Sequence, residues 1–260
     1  MSIGYTGVLV TRTSDPSGAA GTVVLVNSLA TTTAMWDDVV PALAERFDVV
    51  RFDQRDRGGP AAREPFSLDD LVDDVVGVLD EVGTERVHLA GISLGGLVAL
   101  RTAARRPERL LSVTAMCCAA RFSREVWVDR CRLVRDEGIA PIVPMVMDRW
   151  FTQDFQERRP DVLARYREML ATTDAAGYAH AGDVLADADV RDDLPRITVP
   201  TLVVGGEADT ANPVTDQELI ARAVPGARLA VVRGAAHLAP VAEPAEVARL
   251  IAGHATAHPA

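Results

Sequence analysis

The stretch Val87-His88-Leu89-Ala90-Gly91-Ile92-Ser93-Leu94-Gly95-Gly96-Leu97-Val98-Ala99-Leu100 constrains the fold of this chain more than any other. A short apolar run with the character of a buried strand leads into a serine that has a glycine two residues away on each side. Helix-forming residues then continue from Leu97 to Arg106, where Pro107 stops them. Strand, G-x-S-x-G and helix in that order describe a sharp turn with Ser93 at its apex. A serine so placed is held in a strained backbone conformation with its hydroxyl exposed, so its flanking residues must be small. The helix that begins just after it points free N–H groups and a positive dipole end at developing negative charge. An idle serine in a glycine-rich turn is the alternative. The agreement of all three parts favours Ser93 as a nucleophile.

The rest of the chain repeats the alternation. Val8-Leu9-Val10 reads as a first strand, with a turn at Asp15-Pro16-Ser17-Gly18, and Thr22 to Val26 is a continuous apolar run of the kind covered on both faces. Helical composition extends from Trp36 to Arg46, with Pro41 either starting or kinking that helix. Val49 to Phe52 is the next strand and leads into a charged turn, Asp53-Gln54-Arg55-Asp56-Arg57-Gly58-Gly59. Ser67 and Asp70 make a capping box for a helix whose apolar face is Leu68, Leu71, Val72, Val75, Leu79 and Val82, closed by Gly83. Its acidic residues Asp69, Asp73, Asp74 and Asp80 read as a solvated face, not a metal site. Further strands are expected at Leu111 to Met116, Pro200 to Gly206 and Leu229 to Val232, and a last helix from about Ala245 to Ala252. His254 and His258 fall in a tail of small residues and read as surface groups. The alternation predicts an α/β fold, a mostly parallel central sheet flanked by helices. Between Arg121 and Leu194 no strand run stands out, so residues 121–195 are expected to form a helical cap inserted into a core of 1–120 and 196–260.

A formal net charge of −10 over 260 residues argues against nucleic acid as a partner. Salt screens such a field beyond about 8 Å, so a local arginine can still hold a carboxylate. No run approaches the roughly 18 apolar residues of a membrane span, and the first residues lack a secretory leader pattern. Cys117, Cys118 and Cys131 have no metal-ligand spacing and fit reduced thiols in a cytoplasmic protein. No metal and no cofactor is called for.

A serine hydroxyl needs a base, and the base needs a carboxylate to fix its tautomer. Of five histidines, His88 lies inside a strand and His180 in the expected cap, whereas His237 sits in the small-residue loop Gly234-Ala235-Ala236-His237-Leu238 that follows a strand. For the acid, Asp209 in Gly205-Gly206-Glu207-Ala208-Asp209 is preferred over Glu207, because its greater distance from the strand end lets it turn back towards the histidine loop. Two N–H donors for an oxyanion are expected on Leu94 and on Ser28 or Leu29, after the Val23 to Val26 strand.

With these residues placed, the chain resembles the α/β-hydrolase superfamily and, within it, the 3-oxoadipate enol-lactonases, over nearly its whole length. Besides the serine elbow, Asp209 and His237, the resemblance is carried by Asn27-Ser28-Leu29, Met35-Trp36-Asp37, Ala119-Ala120-Arg121, Arg149-Trp150-Phe151-Thr152 with Phe155, and Ala188-Asp189-Val190-Arg191-Asp192. It implies a cofactor-free serine hydrolase acting on a carboxylate-bearing ester or lactone. Arg121 would contact the substrate carboxylate, with Trp36 and Trp150 as further substrate-binding residues. An exposed hinge arginine is the alternative for Arg121. The chain departs from the pattern at Ala30, where the family has glycine, and at Asp56, where its Asp-x-Arg-Gly-His-Gly turn has glycine; if that glycine has positive φ, an aspartate is only partly tolerated there. Cys117 and Cys118 replace small or polar residues and read as packing thiols. A carboxylesterase, or a biosynthetic lactonase or acyltransferase, would use the same three residues on another substrate. A C–C hydrolase, a haloperoxidase-like enzyme and a silent ligand-binding relative are the remoter readings.

Overall fold

The apolar runs are strands of one eight-stranded sheet in the computed structural model, which describes residues 2–5, 8–12, 18–57 and 64–259. The strands are β1 (Ser2–Tyr5), β2 (Val8–Arg12), β3 (Thr22–Val26), β4 (Asp48–Phe52), β5 (Val87–Ile92), β6 (Leu110–Met116), β7 (Thr201–Gly206) and β8 (Arg228–Val232). Their spatial order is β1-β2-β4-β3-β5-β6-β7-β8, antiparallel at β1/β2 and β2/β4 and parallel at every other pair. Every residue of β3, β5, β6 and β7 is buried, as expected of central strands covered on both faces. β8 forms the edge and leaves Leu229 and Val231 partly exposed. The chain order reverses between β3 and β5, and a crevice opens at such a switch point, beyond the carboxyl ends of the strands.

The helices are α1 (Val40–Ala44), α2 (Leu68–Glu81), α3 (Leu94–Arg105), α4 (Arg124–Glu137), α5 (Val143–Trp150), α6 (Gln153–Arg158), α7 (Pro160–Ala171), α8 (Ala175–Asp187), α9 (Val214–Ala223), α10 (Ala239–Ala242) and α11 (Pro244–Thr256). Helices α4 to α8 all lie between β6 and β7. The chain enters and leaves this insertion side by side: Arg121 and Asp189 form an antiparallel bridge, and the Val190 N–H donates to Ala120 O at 2.9 Å.

The Ser67–Asp70 capping box on α2 is present in both directions. Elsewhere the structure corrects local expectations. The helix expected from Trp36 to Arg46 is split into a 3-10 turn, Thr33–Trp36, and the short α1, which Pro41 opens. Asp74 is no part of a solvated face: it is buried and paired with Arg55. His254 is buried too, because α11 runs one turn past its expected end and packs this ring against the sheet, with Nε2 3.2 Å from Pro200 O. Strand β1 had no counterpart in the sequence reading. Asp15-Pro16-Ser17 and Gly58-Gly59 lie outside the described residues.

Candidate active site

Ser93 ends β5 and opens α3 with φ 57° and ψ −117°, and its N–H donates to Met116 O at 2.8 Å. The flanking glycines are required sterically. A Cβ on Gly91 would lie 2.0 Å from Gly95 O, and one on Gly95 would lie 2.4 Å from Val26 O. Only a chain with no side chain at either place can make this turn.

Asp209 follows β7 and is buried. Its Oδ1 accepts N–H bonds from Ala211 (2.8 Å) and Asn212 (3.0 Å), which hold the carboxylate in place. Its Oδ2 lies 2.9 Å from His237 Nδ1, in the loop after β8. A carboxylate facing Nδ1 favours the tautomer with the proton there, which leaves Nε2 as the acceptor. Glu207, the rival acid, is exposed and accepts the Gly234 N–H instead.

Ser93 and His237 border one cleft. On the sheet side Ser28, Leu29 and Asn212 line it; from the insertion come Phe122, Trp127, Val146, Arg149, Trp150 and Tyr178. Trp150, expected to be a substrate-binding residue, borders this cleft. Arg121 does not: its side chain is exposed, lies 3.9 Å from Asp189 and borders a separate surface hollow with Leu219. The hinge geometry turns it outward. Trp36 does not border the cleft either. It is buried beneath the 27–31 loop and donates Nε1–H to Asn27 Oδ1 at 2.9 Å.

The cleft does contain an arginine, Arg149, quoted in the sequence only as part of a motif. Among the described residues no carboxylate pairs with it. Burial, then the charge of Arg130, pulls its pKa down, so an anion beside it would be favoured. Arg130 itself lies over the Trp127 ring at 4.3 Å. A cation on α5 whose direction depends on packing carries no local sequence signal.

Sequence reasoning also missed the scaffold of the 27–31 loop. Asn27 Nδ2 donates to Phe52 O at 3.0 Å and to Asp53 Oδ1, while Gln54 Nε2 and the Gly95 N–H both donate to Asn27 O. Asp53 also accepts the Thr33 N–H at 2.6 Å. Within the loop, the Ser28 N–H faces Met35 Sδ at 3.5 Å, and Ser28 O accepts from Thr31. Leu29 borders the cleft beside Ser28, and the Leu94 amide, the first of α3, has no intrahelical acceptor. Cys117 and Cys118 are free, fully buried and pushed up in pKa by burial, Cys118 to about 12; neither borders the cleft. Among the described residues no group of three metal-ligating side chains is assembled, and no helix is long and apolar enough to cross a membrane.

A parallel sheet with one antiparallel partner strand, a strained serine between strand and helix, and a histidine backed by a buried aspartate define an α/β-hydrolase. The alpha/beta hydrolase family model matches residues 23–250, and the chain belongs to that family. Among individual relatives, it is 34% identical to 3-oxoadipate enol-lactonase 1 of Acinetobacter baylyi over 90% of this chain and 88% of that protein. It is 31% identical to a pimeloyl-[acyl-carrier protein] methyl ester esterase of Aeromonas hydrophila over 90% of this chain and 95% of that one. The crystal structure of the enol-lactonase from Burkholderia xenovorans LB400 superposes with a TM-score of 0.92 at 33% identity, covering 98% of this chain and 100% of that one.

Proposed function

We propose that this hydrolase opens a small carboxylate-bearing lactone of the 3-oxoadipate enol-lactone type by serine catalysis, without a cofactor. Ser93 Oγ attacks the lactone carbonyl while His237 Nε2 takes its proton and Asp209 stabilises the resulting imidazolium. The oxyanion is received by the N–H groups of Leu94 and Leu29, with Ser28 bordering the same spot. Collapse breaks the ring C–O bond. The leaving enolate oxygen takes the proton from His237, and the free enol then ketonises. His237 next activates a water that hydrolyses the acyl-serine and returns the proton to Ser93.

The observation that carries the substrate class is Arg149, which makes no ion pair among the described residues and shares the cleft wall with Phe122, Trp127, Val146 and Trp150 as well as with the polar Ser28, Tyr178 and Asn212. Its planar fork can hold a carboxylate in two parallel hydrogen bonds, a geometry lysine does not reproduce. In this reading residues 121–195 act as a cap that supplies the anion contact, and residues 1–120 and 196–260 as the core that supplies the chemistry. Three buried free thiols fit a reducing, cytoplasmic setting.

The deciding experiment is hydrolysis of freshly generated 3-oxoadipate enol-lactone, followed by loss of its ultraviolet absorbance, beside p-nitrophenyl esters and methyl esters. Turnover of the lactone at a kcat/KM well above the neutral esters is expected. Preference for a neutral or long-chain ester would replace the lactone reading with the esterase one.

A further inference from the structure

Ala30 has φ +63°, one of three non-glycine residues with positive φ among those described, beside Ser93 and Cys117. The strain is held from one place. The Ala30 N–H donates to Asp56 Oδ2 at 2.7 Å, and Ala30 O accepts from Arg57 Nη1 at 3.0 Å. Arg57 is anchored in turn on Met169 O and on Thr173, at the end of α7. Asp56 has no positive φ, so an aspartate is tolerated there, contrary to what a left-handed glycine position would demand.

Asp56 is a costly residue to keep. It is 1% exposed, its Oδ1 has no hydrogen-bond partner, and burial pushes its carboxyl up to about 7. Neither Ala30 nor Asp56 borders the cleft, but Ala30 immediately follows Leu29, which does. Ala30 and Asp56, two of the departures seen in the sequence, are thus in direct contact.

We propose that Asp56 is a positioning residue: its carboxyl clamps the left-handed Ala30 and so aims the Leu29 amide into the cleft, a task a glycine at position 30 would not need. This rests on the reading of Leu29 as an oxyanion donor. An amide displaced by an ångström or so serves the tetrahedral intermediate poorly while leaving ground-state binding almost intact.

The test is a double-mutant cycle on the intact protein: wild type, A30G, D56A and D56A/A30G, with kcat and KM measured for the enol-lactone and for p-nitrophenyl acetate. D56A should lower kcat about tenfold to a hundredfold with KM within about twofold. In the A30G background the same substitution should cost no more than about threefold, because glycine adopts this φ unaided. Should D56A fail to fold, D56N replaces it; it retains an acceptor oxygen, and its smaller kcat loss should vanish in the A30G background. Equal losses in both backgrounds, or a loss expressed in KM alone, would overturn the proposal. S93A is run alongside. Residual turnover in S93A sinks the serine mechanism itself, whereas a dead S93A with equal losses across the cycle sinks only the role of Asp56.

Discussion

The backbone N–H of His237 points at the carbonyl oxygen of Arg149, 3.4 Å away, and the next residue, Leu238, donates to Trp150 O at 3.1 Å. The end of α5 is therefore stitched to the loop that carries the imidazole. The same residues whose carbonyls accept these bonds turn their side chains to the cleft wall. Arg149 and His237 are thus linked through two adjacent main-chain contacts between α5 and the loop after β8.

Removal of the Ser93 hydroxyl should abolish hydrolysis with the fold intact. For Ser93→Ala we expect kcat to fall by about 10⁴-fold or more. Thermal denaturation should leave Tm close to wild type, and a fluorophosphonate probe should label the wild type but not the variant. Near-normal turnover by this variant would contradict the mechanism.

The two arginines separate cleanly. Arg149→Ala should raise KM for the carboxylated lactone roughly tenfold to a hundredfold, the worth of a charge-assisted hydrogen bond of about 1.5–3 kcal/mol. Its effect on p-nitrophenyl acetate should be far smaller. Arg121→Ala, at an exposed ion pair with Asp189, should change either constant by less than about twofold. The reverse ranking would restore Arg121 as the anchor.

His88 ties stability to acid. Burial, with repulsion from His254 and His258 added, pushes its pKa from 6.5 down to about 4. Its Nδ1 lies 2.8 Å from Ser112 Oγ, and Phe47 meets the ring edge-on. A histidine depressed in the folded state contributes stability that is complete above the unfolded value and is lost as pH falls through the folded one. Tm should therefore drop between about pH 6.5 and about 4. His88→Asn should make this decline shallower, as read by circular dichroism at pH 7 and pH 5.

Asp56 works in the opposite sense. Its carboxyl is raised from 3.8 to about 7, so the stability it contributes is complete below the lower value and is lost as pH rises through the upper one. Relative to wild type, Asp56→Asn should gain stability between pH 5 and pH 8, whatever its constant offset. A difference in Tm that stays flat across that interval would show that the group titrates normally.

What the sequence determined by itself was most of what is decided over a few residues, though not the break between the Thr33–Trp36 turn and α1. Strand runs such as Thr22–Val26, the Ser67–Asp70 cap and the Gly91–Gly95 elbow rest on periodicity, short-range hydrogen bonds and steric need, all written into adjacent positions. The sequence also marked Asp209 and His237, in small-residue loops after strands, although Glu207 competed with Asp209 until the 2.9 Å contact to His237 Nδ1 was seen. Tertiary structure alone decided which way the ambiguous side chains face. Arg149 and Arg121 are chemically alike, yet one is walled into the cleft and the other pairs outward with Asp189. Trp36 went under a loop, Asp74 and His254 went inside, and Ala30 met Asp56 across 26 residues of chain. The physical reason is that burial and the choice of partner are set by whichever elements the sheet order brings together, and no local pattern encodes that meeting.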